Sequence, residues 1–273
     1  MSTNVAIVTG ASGGIGRATA IALARRGWAV VLAARRADRL AQVAAECLAA
    51  GADDARAVPA DVTRAEQVET LVAEAIGRFG RLDVMVNNAG RGLRQRVHET
   101  SDEQMRSIFD VNYYGVFYGC VAAAAVMTRQ RSGHIFNVSS VIGKRGTPFH
   151  GAYCATKFAI CGLTDSLRVE MRPYRVRVTC VCPTLTETEF FGVMHGQGRP
   201  GPQRHARLRG LTAPETVGRK IAASVGRNVP ELVFGVGGKL LTLLATISPR
   251  LTDLLMARYH DEVARDIVLP PSP

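Results

Sequence analysis

Thr9-Gly10-Ala11-Ser12-Gly13-Gly14-Ile15-Gly16 follows directly on the apolar run Val5-Ala6-Ile7-Val8. A short apolar run that ends in glycines reads as a buried strand entering a tight turn. Residues 14–26 then carry helical spacing, and Gly27 stops them. The same unit recurs along the chain. Residues 29–34, 56–59, 83–87, 134–138 and 175–182 read as further strands, and 38–50, 64–78 and 153–172 as helices. Ser101 is expected to cap one long helix running toward Arg131, and Thr63 or Asp61 the helix at 64. Strands alternating with helices pair in parallel through right-handed crossovers. Runs such as Val30-Val31-Leu32-Ala33 suit a sheet covered on both faces. The expected fold is therefore α/β, a doubly wound parallel sheet of strand order 3-2-1-4-5-6. Ligands bind such sheets beyond the carboxyl ends of the strands, where the glycine turn, Asn87, Ser140 and Pro183 all fall.

The bulk numbers narrow the class. A chain of 273 residues suits one large domain or at most two, and 47% apolar residues can fill a sizeable core. The net charge of +11 raises nucleic acid as a partner, yet only 6% of residues are aromatic and no zinc-finger or helix-turn-helix spacing occurs. No nucleic-acid partner is expected, and a solvated basic surface accounts for the charge. Cys47, Cys120, Cys154, Cys161, Cys180 and Cys182 contain no Cys-x-x-Cys pair. They read as reduced thiols in a cytoplasmic protein, with no metal site expected. Cys180 and Cys182 alternate in a strand and should share one face as small hydrophobes. The first strand begins by Val5, too early for a secretory leader.

Beyond Pro183 the pattern changes. Residues 187–211 hold glycines and polar side chains and read as a substrate lid without a strand. Residues 214–227 read as a helix, 231–234 as a last strand, and 239–245 and 251–259 as apolar helical pieces. Leu240–Ile247 is too short to cross a bilayer. It suits core packing, the commoner outcome, or peripheral contact with a membrane or partner. The expected division is a main domain over 1–235 and a helical extension over 236–273 packed on it.

Gly10, Gly14 and Gly16 stand where side chains would obstruct the turn, the approach of a pyrophosphate or helix packing. The free amides and positive end of the following helix favour phosphate. The spacing is G-x-x-x-G-x-G, and a glycine turn alone is weak support for a dinucleotide. A carboxylate closing the second strand would bind the ribose of NAD, but Ala34-Arg35-Arg36 stand there. Arginine offers a fork for a 2′-phosphate, with Arg17 and Ser12 near enough to assist. NADP is thus preferred over NAD, although two arginines can also flank a surface loop. Asp61 could hold the adenine amino group, cap the next helix, or do both.

Tyr153 and Lys157 lie four residues apart, one helical turn or about 6 Å. A phenol of ordinary pKa about 10 is a poor base near neutrality, and an adjacent ammonium can stabilise its anion. Such a pair can move a proton to or from a carbonyl oxygen. Tyr-x-x-x-Lys arises readily by chance, but this pair follows a strand and loop on the ligand edge. Ser140 precedes Tyr153 by thirteen residues. Ser139 is its rival, and on a strand the two point to opposite sides.

These motifs together resemble the short-chain dehydrogenase/reductase family. The matching stretches are Thr9–Gly16, Asn87-Asn88-Ala89-Gly90, Asn112, Ser140, Tyr153 with Lys157, and Pro183 to Thr188. The resemblance implies a Rossmann-type domain with Tyr153 as general acid/base. It implies Lys157 lowering the phenol's pKa and binding the nicotinamide ribose, and Ser140 positioning the substrate carbonyl. Asn112 would shape the long helix and hold a relay water. At the cofactor it implies Gly10, Ser12, Gly14, Ile15, Gly16, Arg17, Arg35, Arg36, Asp61, Val62, Asn88, Ala89, Gly90, Tyr153, Lys157, Pro183 and Thr188. The family commonly has Pro-Gly where Pro183-Thr184 stands, so Thr184 is expected to add bulk beside the nicotinamide. Pairing through residues 102–131 and 152–172 would make a homodimer or homotetramer. The reading is an NADP-dependent oxidoreductase interconverting a ketone or aldehyde with an alcohol. Residues 91–97, 141–150 and 187–211 should line its pocket, with Phe149, Phe190 and Phe191 favouring a small apolar substrate. The alternative is a non-catalytic dinucleotide-binding or membrane-associated interaction protein.

Overall fold

The structure, a computed structural model, describes residues 3–186, 195–196 and 212–264. One parallel sheet organises it. Its strands are β1 (Val5–Thr9), β2 (Ala29–Ala34), β3 (Ala55–Pro59), β4 (Val84–Asn87), β6 (Gly133–Val138), β7 (Val176–Cys182) and β9 (Glu231–Val233), in the order β3-β2-β1-β4-β6-β7-β9. The expected order is present, with the last expected strand added at the β7 edge. Two short strands outside it, β5 (Leu93–Arg94) and β8 (His195–Gly196), pair in parallel. β8 is a strand inside the stretch read from sequence as strand-free.

Both faces are apolar because both are covered. Val8, Leu32 and Phe136 pack on one side with Leu23, Leu40 and Val217. Ile7, Val31, Met85 and Ile135 pack on the other with Leu71, Met127 and Ile160. Each such side chain stabilises the fold by roughly 1.5–3 kcal/mol relative to exposure. The first face carries α1 (Gly14–Ala24), α2 (Ala37–Ala49) and α7 (Pro214–Ser224). The second carries α3 (Ala65–Phe79), α5 (Gly115–Gln130) and α6 (Gly151–Met171). Helices α1 and α7 touch backbone to backbone: a Cβ on Gly218 would lie 2.6 Å from the Ala18 carbonyl carbon.

Three expectations need correction. The long helix is broken into α4 (Asp102–Phe109), a π-helical turn (Asp110–Tyr114) and α5. Ser101 does cap α4, in a reciprocal box with Gln104. Neither Asp61 nor Thr63 caps α3. Asp61 Oδ1 accepts from the Thr63 amide (3.0 Å) and hydroxyl (2.9 Å), a local turn too early to reach the helix, whose N-cap is Arg64. Finally, α8 (Val236–Ile247) and α9 (Pro249–Ala264) do not bury Leu240–Ile247 as core. Leu240, Leu243 and Ile247 are 59%, 57% and 72% exposed.

Candidate active site

The glycine turn is held by sterics and by a threonine. Gly10 and Gly14 adopt φ of +65° and +51°, a region that penalises side chains. A Cβ on Gly10 would lie 2.8 Å from Asn88 Nδ2, and one on Gly16 would lie 2.3 Å from the Gly10 carbonyl oxygen. Thr9 joins this turn to the end of β4. Its hydroxyl accepts from the Asn88 and Ala89 amides at 2.9 and 3.1 Å, and Asn88 Nδ2 donates to the Thr9 carbonyl at 2.9 Å. At α1 the N-cap is Gly13, without a side-chain hydrogen bond, and the first turn holds no acidic residue. The helix start therefore offers amides to an anion, and the residues fit a dinucleotide pyrophosphate.

Positive charge gathers at the end of β2. Arg36 Nη2 donates to Ser12 Oγ at 3.1 Å. Arg91 is held below the usual arginine range, first by burial and then by the charge of Arg35. Arg17 is engaged elsewhere, with its Nε 2.7 Å from Glu46 on α2. Asp61 is tied to Thr63, and Val62 is buried against Gly115, where a Cβ would meet Val62 Cγ2 at 2.7 Å.

The Tyr/Lys pair sits across from this crevice on α6. Lys157 is buried, and its Nζ donates to the Val138 carbonyl at the end of β6 (2.9 Å). The same Nζ lies 5.5 Å from the centroid of the Tyr153 ring. A Cβ on Gly90 would lie 3.8 Å from it, so the ammonium faces the loop after β4. Burial pushes the Lys157 pKa down to about 8. Burial also raises the Tyr153 phenol above its ordinary value, with the Cys154 thiol adding to it. The shift runs upward, opposite to the expected lowering by Lys157.

The two serines divide as a strand end requires. Ser139 is buried, donating to the Lys157 carbonyl at 2.8 Å. Ser140 is partly exposed and starts the turn Val141–Gly143, its Oγ 3.4 Å from the Pro183 carbonyl. A Cβ on Gly143 would be 2.8 Å from the Lys157 carbonyl oxygen, so this loop folds back onto α6. Asn112, within the π turn, is fully buried. Its Oδ1 accepts from the Arg91 amide (2.8 Å), and its Nδ2 donates to the Arg91 carbonyl (3.0 Å) and Thr156 Oγ1 (3.1 Å). It ties the loop after β4 to α6.

Thr184 is engaged by Thr212 and by α8. Its hydroxyl pairs with Thr212 at 2.8 Å, and its methyl packs where a Cβ on Gly238 would lie 2.9 Å away. Its bulk is taken up by α8. Thr188, Phe190, Phe191 and most of the lid 187–211 lie outside the described residues. The sequence assigned no role to the Thr9 and Thr156 hydroxyls, which are buried and join the loops, and did not link α9 to the loop over residues 141–150. Helix α9 reaches the loop over residues 141–150 through an Arg145–Asp253 ion pair and a His260 ring stacked 5.1 Å from Phe149. Buried threonines flanking the motifs were the one available signal.

The short chain dehydrogenase family model matches residues 4–196, a range that carries both the glycine turn and the Tyr/Lys pair. The chain belongs to the short-chain dehydrogenase family. An uncharacterized oxidoreductase of Bacillus subtilis, YxnA, is 34% identical over 269 residues, covering 97% of this chain and 75% of the relative. An uncharacterized oxidoreductase of Staphylococcus aureus is 35% identical over 221 residues, 80% of this chain and 94% of the relative. Among solved structures, an alcohol dehydrogenase from Thermococcus sibiricus complexed with 5-hydroxy-NADP superposes with a TM-score of 0.75 at 32% identity. It covers 85% of this chain and 96% of its own. A short-chain type dehydrogenase/reductase from Mycobacterium marinum gives 0.78 at 31% identity, over 87% and 96%. As a short-chain dehydrogenase, the protein is an NAD(P)-dependent oxidoreductase acting on CH–OH and C=O groups.

Proposed function

We propose that this short-chain dehydrogenase interconverts a small apolar ketone or aldehyde with its alcohol, prefers NADP, and uses Tyr153 as general acid/base. The observation that carries this reading is the buried Lys157 ammonium, held on the Val138 carbonyl and 5.5 Å from the Tyr153 ring. A buried ammonium is costly, and its position beside a phenol gives it a purpose. NADP supplies or accepts the hydride when bound. In the reducing direction Tyr153, protonated as burial dictates, gives its hydroxyl proton to the substrate oxygen. In the oxidising direction Tyr153 takes the alcohol proton, and Lys157 steadies the phenolate. Ser140 donates a hydrogen bond to the same oxygen. Asn112 and Thr156 hold Arg91 and the loop that shapes the pocket. The Thermococcus structure's 5-hydroxy-NADP and the Arg35–Arg36 pair support NADP over NAD.

We take residues 1–235 as the catalytic domain, 187–211 as its lid and 236–273 as a helical extension. Large exposed hydrophobics on α5 and α6, among them Phe117, Val121, Phe158 and Val169, favour assembly as a homodimer or homotetramer. The exposed leucines of α8 and α9 favour peripheral membrane contact beside catalysis. Six free thiols agree with a cytoplasmic setting.

The test is purified protein with NADPH and a panel of aldehydes and ketones. Turnover is expected, and Tyr153→Phe should cut it by about 10²–10⁴-fold with NADPH affinity kept. Tight NADPH binding without turnover across the panel would instead indicate a non-catalytic binding protein.

A further inference from the structure

Three of the six cysteines converge. Cys161 lies on α6, one turn beyond Lys157, while Cys180 and Cys182 project from the same face of β7. All three are buried. Cys180 Sγ is 3.7 Å from Cys161 Sγ and 3.7 Å from Cys182 Sγ, and all three sulfurs lie within 4.8 Å of one another. Parallel pairing sets Glu231 of β9 opposite Cys180, and Glu231 Oε1 comes 3.3 Å from Cys182 Sγ.

We propose that Cys161, Cys180, Cys182 and Glu231 form a binding site for a thiophilic divalent cation of the zinc type. Zinc takes thiolate at about 2.3 Å and carboxylate at about 2.0 Å in a tetrahedron. That tetrahedron has sulfur–sulfur edges of about 3.8 Å and sulfur–oxygen edges of about 3.5 Å. The Cys161–Cys180 and Cys180–Cys182 sulfur pairs at 3.7 Å and the Cys182–Glu231 pair at 3.3 Å stand near those edges, and a swing of the Glu231 carboxylate toward the three sulfurs closes the rest. Three thiolates and a carboxylate around a divalent ion leave two negative charges. Lys144, whose Nζ holds Glu231 at 2.8 Å, borders the site and offsets part of that charge. The Glu231 and Lys144 side chains are 30% and 24% exposed, which opens an entry path at the sheet edge. Ser139, hydrogen-bonded to the Lys157 carbonyl, lies 3.3 Å from Cys161 Sγ and provides the supporting contact such sites require. On binding, each thiol gives its proton to the solvent. The sequence concealed the site, because its ligands come from a helix and two strands rather than from one Cys-x-x-Cys segment.

The experiment titrates the reduced full-length protein, in a non-thiol reductant, with Co(II) and then Zn(II). One equivalent of Co(II) should give the intense visible bands and sulfur-to-cobalt charge transfer of a tetrahedral thiolate site, and Zn(II) should displace it. Cys180→Ser and Cys182→Ser should abolish the spectrum, and Glu231→Gln should weaken Zn(II) binding at least about tenfold. Cys47→Ser and Cys154→Ser should bind as wild type. A wild-type protein that binds neither ion, or binds Co(II) without thiolate bands, overturns the proposal even if the cysteine variants fail to fold. Folded Cys180→Ser that retains the spectrum overturns it as well.

Discussion

Arg35 and Arg36 put a pair of positive charges where a carboxylate would repel a 2′-phosphate. Arg36 is steadied on Ser12, and Arg35 bears on Arg91 across the crevice. Arg35→Ala is therefore expected to weaken NADPH by about tenfold and NADH little. Fluorescence titration with both nucleotides checks it, and equal losses would count against a phosphate contact. Lys157 allows a second prediction. Its pKa in the fold is about 8 against an ordinary 10.5, so the unfolded chain binds the proton more tightly. Burying the ammonium thus costs stability below pH 8, and the cost fades as pH rises from 8 toward 10.5. Lys157→Met should lose turnover yet gain about 1–2 kcal/mol at pH 7, a gain that shrinks above pH 8 in urea denaturation. The same titration predicts that carbonyl reduction by wild type falls off above pH about 8 in initial-rate profiles. A profile flat to pH 10 would remove Lys157 from the proton chemistry.

Among the elements, the tightest joint is between α1, which carries the dinucleotide turn, and α7. Gly218→Ala drives a methyl into the Ala18 backbone, which has no side chain to move aside. A loss of about 1–3 kcal/mol is expected in thermal or urea unfolding, with weaker NADPH binding as α1 shifts. Wild-type stability in this variant would show that the joint is slack. The strands were legible because their residues are apolar on both faces, as Val30–Ala33 shows. The glycine turn and Tyr153 with Lys157 were legible because their spacing is local. The π turn was not, since one extra residue leaves helical periodicity nearly intact around Asn112. The place of Thr184 was hidden for a different reason. It depends on Gly238, which only the fold brings alongside.

Across the whole molecule, acid stability should hinge on a histidine far from the site. His134 is buried, with Nε2 2.8 Å from Thr179 Oγ1 and Nδ1 accepting from the Gly226 amide at 3.3 Å. Burial, and then the charge of Arg177, push its pKa down to about 3. The neutral ring is favoured in the fold, so its contribution is complete above pH 6.5 and is lost as pH falls toward 3. Stability should drop by about 2 kcal/mol between pH 7 and pH 5 through this group alone. Urea denaturation of His134→Gln should show a shallower slope, and an unchanged slope would sink the assignment.

Helix α9 carries a consequence of its own. Phe149 holds a left-handed backbone, φ +64°, with His260 stacked on its ring and Asp253 paired to nearby Arg145. The loop over residues 141–150 thus leans on a segment that lies beyond the family-matched range. If that loop lines the pocket as we propose, sequence drift in the segment would retune which substrates are accepted while hydride chemistry stays as it is, so selectivity and turnover would evolve on separate stretches of one gene.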